Sequence, residues 1–395
     1  PRLLLFLLCF WILPAAAQQG PEDLLAEHGL PAHDLGYLLF DPESGAWLES
    51  HNPTASFIPA STAKIPMAVA ALELLGPGHR FQTELYASGE ISGVTLHGDL
   101  YLKGGGDPFL ATEDLAGLLK QLGQRSFSSM VGNYYYDVTG YPQLAEIEPR
   151  QPADATYHTG PAARDRRCDG NQHNWPISAR AITASDALAI ETSSIGVHPE
   201  FVALERGEFY RHRRTEAGER WQLSQALPPE GGERLPVKDP ALNAAAALRE
   251  LARAEGIHLP EPKPGGTPPT ATWIAGHESK PLGERLVAVM KFSNNLAAEM
   301  IGLTAAGALV PGRGGEPLGL AESARMLGEW FAARLPEADW SGYDLRNHSG
   351  LSSESRITPA QMAAILRFAY ARRGTERDLQ TVLPDARRAA EVNPE

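Results

Sequence analysis

A serine and a lysine stand three residues apart at the start of an apolar run, in Pro59-Ala60-Ser61-Thr62-Ala63-Lys64-Ile65, and this stretch constrains the chain more than any other. The run 62–75 is rich in Ala, Leu and Met and holds no glycine, which predicts a helix with Ser61 as the capping type at its mouth. Ile65, Ala68, Val69 and Leu72 recur at helical spacing and predict a buried face; Gly76-Pro77-Gly78 ends the run. Residues three apart share a face, so Lys64 can reach Ser61. The plain alternative is an N-cap serine followed by a solvated lysine. Against it, a lysine in the first turn faces the positive end of the helix dipole, where a cation is disfavoured by about 0.3–1 kcal/mol. That field, together with burial, lowers the lysine's pKa and makes it a base for the serine. None of the other lysines has a serine three residues before it.

A chain of 395 residues predicts two to four domains, and 38 glycines and 32 prolines predict many turns. The formal charge of −13 argues against a nucleic-acid partner. Residues 1–17 read as a secretory signal: Arg2, an apolar run over 3–13, then Pro14 and Ala15-Ala16-Ala17, with cleavage before Gln18. The run is too short to span a bilayer comfortably, so the mature chain is expected to be exported, without a transmembrane anchor. Leu8 before Cys9 is a poor fit to a lipid-attachment site, which takes a small residue there. Cleavage leaves Cys168 alone, without an intramolecular disulfide partner.

Further on, 36–40 and 46–48 predict a hairpin across Asp41-Pro42-Glu43-Ser44-Gly45. Strands are expected at 83–88, 98–103 and in runs over 187–223, with a loop-rich insert at 142–176. The triplet Gly104-Gly105-Gly106 before Asp107-Pro108 lacks dinucleotide-fingerprint spacing and predicts a tight turn. Helices are expected at 241–255, 282–291, 296–306, 320–335 and from the capping box Thr358-Pro359-Ala360-Gln361 to 372. The proline-rich stretch 260–269 predicts a boundary.

Two more pieces bear on the chemistry. Ser293-Asn294-Asn295, a Ser-x-Asn between two helices, offers a hydroxyl to pass a proton and an amide to hold a substrate backbone; its plain alternative is a helix cap. The block Arg346-Asn347-His348-Ser349-Gly350-Leu351 is followed by Arg356-Ile357-Thr358-Pro359. No His-Glu-x-x-His, Gly-x-Ser-x-Gly or phosphate loop is present, so no metal or cofactor is expected.

In this order, with Gly98-Asp99-Leu100 and the Gly104–Pro108 block, the chain resembles the class C low-molecular-mass penicillin-binding proteins, the D-alanyl-D-alanine carboxypeptidases/endopeptidases. The resemblance implies an α/β (α+β) fold: a penicillin-recognising, transpeptidase/β-lactamase-like domain, an antiparallel sheet with helices, interrupted by inserted β-rich domains. Catalytic segments at 18–82 and 269–395 then flank an insert at 83–268. By the same resemblance Ser61 is the nucleophile, Lys64 the base, Ser293 the proton relay and Asn295 the substrate-orienting group. The implied partners are peptidoglycan stem peptides ending or cross-linked through D-alanine, with β-lactams as covalent inhibitors, and the implied location is periplasmic.

Asn294 stands where the family often has Asp. The family's Lys-Thr-Gly motif is not found after Ser349-Gly350, and His158-Thr159-Gly160 mimics it in the wrong order. With no initiator Met either, the chain reads as a fragment with impaired activity. Two other classes stay open: a non-catalytic peptidoglycan or β-lactam binding protein on the same fold, and a serine β-lactamase or esterase. Covalent acylation of serine separates the first, and turnover of peptide against lactam the second.

Overall fold

The turn residues and the period-2 and period-3.6 runs partition the chain into eight helices and sixteen strands in the computed structural model, among the described residues. These are 21–125, 127–141, the six strands between 174 and 236, 240–312 and 317–384. The signal at 1–17, Cys168 and His158-Thr159-Gly160 lie outside them.

Helix α1 (Pro21–Glu27) leads to the hairpin β1 (Tyr37–Phe40) and β2 (Trp47–His51), whose turn is closed by Asp41 accepting from Ser44 Oγ and Glu43 N. A 3-10 turn, Ala60–Ala63, then feeds α2 (Lys64–Leu74). The helix thus begins two residues later than the sequence predicts, and Ser61 lies in the tight turn rather than at the cap, which is Ala63. Pro66 supplies the reason: it has no N–H to give the Thr62 carbonyl, so it fits the first turn of a helix but not its interior. Gly76, at φ +80, ends the element as expected.

Next come β3 (Gln82–Ala87), β4 (Glu90–Ser92), β5 (Thr95–His97), β6 (Leu100–Gly104), α3 (Thr112–Gln124), β7 (Ser129–Val131) and β8 (Tyr134–Asp137). The strands between 174 and 236 are β9 (Asn174–Ala181), β10 (Leu188–Thr192), β11 (Val197–Val202), β12 (Tyr210–Thr215), β13 (Gly218–Ser224) and β14 (Glu230–Pro236), in two three-stranded sheets. Then follow α4 (Pro240–Ala254), β15 (Pro262–Pro264) and β16 (Thr272–Glu278). A five-stranded mixed sheet runs in the order β15-β8-β6-β3-β16. The proline-rich stretch is therefore not a free connector: Pro262–Pro264 pairs in parallel with β8 as an edge strand, where a missing N–H is tolerated.

The last helices are α5 (Leu282–Phe292), α6 (Asn295–Gly307), α7 (Leu320–Arg334) and α8 (Pro359–Tyr370). The Thr358/Gln361 capping box forms as its residues predict. Two large hydrophobic cores result among the described residues. One joins α2 with α5–α8 around Met67, Phe81, Leu286, Ile301, Phe331 and Ile365; the other lies between the mixed sheet and helices α3 and α4. Tyr141 links the two regions, its hydroxyl reaching Gly105 O at 3.0 Å and Thr304 Oγ1 of α6 at 3.1 Å.

Candidate active site

Helix α2 is apolar almost all round, with 66–72 buried, so it must sit inside the protein, and it packs against α5, α6 and α8. That placement buries Lys64, 1% exposed, at its first position, while Ser61 in the preceding turn stays exposed. Burial holds the Lys64 pKa well below its ordinary value, to about 8, against a raising influence from the Glu299 carboxylate.

Lys64 Nζ donates to Ser61 Oγ at 3.2 Å, to Asn295 Oδ1 at 2.7 Å and to the Ser349 carbonyl at 2.9 Å. From the other side Ser293 Oγ donates to Ser61 Oγ at 2.6 Å. All four residues named from the sequence meet in one place, 232 positions apart in the chain at their widest serine pair. Two of the lysine's three partners, the Asn295 amide oxygen and the Ser349 carbonyl, can only accept. Ser61 can also donate. A lysine that has lost one proton therefore keeps two N–H bonds to the carbonyl oxygens and turns its lone pair to the Ser61 hydroxyl.

Local backbone geometry sets these groups. Ser293 ends α5 with φ +53 and Ala60 precedes Ser61 with φ +46, both in the left-handed region that residues other than glycine rarely occupy. Asn294 is buried and caps α6, its Oδ1 accepting from Ala297 N at 2.9 Å, a task Asp performs equally well. The departure from the family's usual Asp thus leaves the cap intact.

Two features were not read from the sequence. The first is the Ser349 carbonyl, placed by the turn 347–350. Gly350 there has φ +76, and a Cβ would lie 1.7 Å from Ala60 O, so the turn rests directly on the loop that carries Ser61. The second is Glu299, 2% exposed, whose carboxylate accepts the backbone N–H groups of His348 and Ser349, each at 2.9 Å. Its signal was available: a lone charge inside the apolar run Ala297-Ala298-Glu299-Met300-Ile301, one turn beyond Asn295. Among the described residues no group of three or more His, Cys, Asp or Glu is placed to hold a metal ion.

The chain is similar to known proteins at two levels. In fold, the chain is similar to penicillin binding protein 4 of Haemophilus influenzae, with a TM-score of 0.70 at 20% identity, over 91% of this chain and 80% of that one. The fold is thus shared with a penicillin-binding protein. In sequence, residues 18–389 match the model of the D-Ala-D-Ala carboxypeptidase 3 (S13) family, and the chain belongs to that family. It is 26% identical over 369 residues to a D-alanyl-D-alanine carboxypeptidase of Actinomadura sp. (strain R39), 87% of this chain and 66% of that protein. It is 28% identical over 128 residues to the D-alanyl-D-alanine carboxypeptidase DacB of Haemophilus influenzae, 32% of this chain and 26% of that protein. The chain thus spans less than two thirds of the length of these relatives. No helix among the described residues is long and apolar enough to cross a membrane.

Proposed function

We propose that the protein is an exported, periplasmic serine D-alanyl-D-alanine carboxypeptidase/endopeptidase. It acts on peptidoglycan stem peptides and is trapped by β-lactams. The observation that carries this reading is the pair of contacts on Ser61 Oγ, Lys64 Nζ on one side and Ser293 Oγ on the other. Neutral Lys64 takes the Ser61 proton as Oγ bonds to the carbonyl carbon between two D-alanines. The proton passes through Ser293 to the leaving nitrogen, the C–N bond breaks and D-alanine departs as the amine. Water then attacks the Ser61 ester by the same route in reverse, freeing the shortened peptide and the serine. Asn295 holds Lys64 through its oxygen and orients the substrate.

A β-lactam presents a strained amide to the same serine, and the Haemophilus protein that shares the fold has been seen complexed with one. The reading is tested by incubating the protein with a peptide ending in D-Ala-D-Ala and measuring released D-alanine. Release that disappears in Ser61→Ala is expected. Equal release from the Ser61→Ala variant would contradict the proposal.

A further inference from the structure

Lys64 takes its direction from a carbonyl that does not belong to its own helix, and the holding of that carbonyl is built around a buried acid. The Ser349–Gly350 peptide unit gives its C=O to Lys64 Nζ at 2.9 Å and its N–H to Asn347 Oδ1 at 3.0 Å. The two N–H groups just before it, those of His348 and Ser349, both end on the Glu299 carboxylate. Each carboxylate oxygen accepts one N–H, a fork that suits the ionised form and leaves the turn little freedom to rotate. Behind it, the His348 ring lies against α6, where a Cβ on Gly302 would meet its Cγ at 2.1 Å. Ser323 Oγ spends its proton on Leu320 O, so His348 Nε2, 2.8 Å away, is the donor to Ser323.

We propose that Glu299 is a positioning residue for acylation: by clamping the 347–350 turn it aims the Ser349 carbonyl, and hence the Lys64 lone pair at Ser61. The inference rests on the reading of Lys64 as the base. The hydrogen bonds of Glu299 run to the turn and not to Ser61. Burial holds its carboxyl above the ordinary carboxylate value, against the lowering pull of Ser349, the His348 N–H and Lys64, and Glu299 in turn opposes the lowering of Lys64 by burial. Lys64 of α2 acts on the carboxylate by its charge, and His348 of the turn by its backbone N–H. His348 is driven by burial down to about 3 and stays neutral throughout the working range.

The test is the acylation rate by a labelled penicillin as a function of pH, measured with a melting curve for the full chain and its variants. Glu299→Gln puts an amide donor against one backbone N–H and removes the negative charge. Its plateau rate should fall roughly tenfold or more, short of the ~10⁴-fold cost of mis-setting a catalytic base directly. The acid limb of its profile should move to lower pH, since Lys64 then gives up its proton more readily. Glu299→Asp keeps the charge and shortens the reach; its plateau should fall while the limb stays in place. Wild-type rate and limb in Glu299→Gln overturn the proposal. If that variant does not fold, Glu299→Asp decides by its plateau alone, and a wild-type plateau there overturns the proposal. Loss of a cooperative melt in both makes the residue purely structural and also overturns it. Failure of the underlying reading shows separately, as undiminished acylation in Lys64→Ala.

Discussion

At the scale of the residue, the proposed function turns on a lysine whose placement suits it to act as a base. Ordinary lysine is protonated far above neutral pH, whereas burial at the positive end of α2 brings Lys64 down to about 8. Only the neutral amine can take the Ser61 proton. The acylation rate is therefore expected to rise as pH climbs through about 8 and to fall away on the acid side, where the ammonium keeps all three protons. In Lys64→Ala that limb should vanish, and the remaining rate should be about 10²–10⁴-fold lower. A stopped-flow pH series on the two proteins checks both statements, and a limb that persists without Lys64 assigns the base elsewhere. The residue identities were legible in the sequence because serine three residues before lysine at a helix start is a short-range pattern. The Ser349 carbonyl was not legible, because a backbone acceptor carries no signature in residue type.

At the scale of the element, α6 does most of the assembly. Its first residue, Asn295, holds Lys64; one turn on, Glu299 holds the 347–350 turn; Gly302 leaves room for His348; and Thr304 meets Tyr141. The helix is wedged between partners on several sides, so its glycines are unequal. Gly302→Ala sets a methyl group on the His348 ring and should cost about 1–3 kcal/mol, with slower acylation as the turn is pushed off. Gly307→Ala, with nothing within 4 Å of its Cβ, should leave both stability and rate nearly unchanged. Melting curves and acylation rates of the pair read this directly, and equal behaviour of the two variants would contradict it. Sequence periodicity found α5 and α6 within a residue or two, since their apolar faces are continuous. It set the start of α2 too early because period and propensity do not register that the turn 60–63 winds as 3-10.

At the scale of the whole molecule, three stretches far apart in sequence are tied into one site. The approach to Ser61 is joined to the segment before α8 by Phe57 and Ile357, which exchange backbone hydrogen bonds at 2.9 and 3.1 Å. Gly350 rests on Ala60, and Ser293 is swung in by its left-handed backbone. The hairpin and the strands β3 and β6 could be read from alternation and turn residues. The parallel pairing of β6 with β8 and of β8 with the proline strand β15 could not, because parallel partners are set by long-range topology rather than by local pattern. The account stands on the claim that this convergence makes Ser61, and no other serine, a nucleophile. The direct measurement is peptide mass spectrometry of the protein after reaction with a penicillin. The account predicts a single adduct on the peptide containing Ser61, absent from Ser61→Ala and slow to form in Lys64→Ala. An adduct on another serine, or one that survives Ser61→Ala, contradicts it.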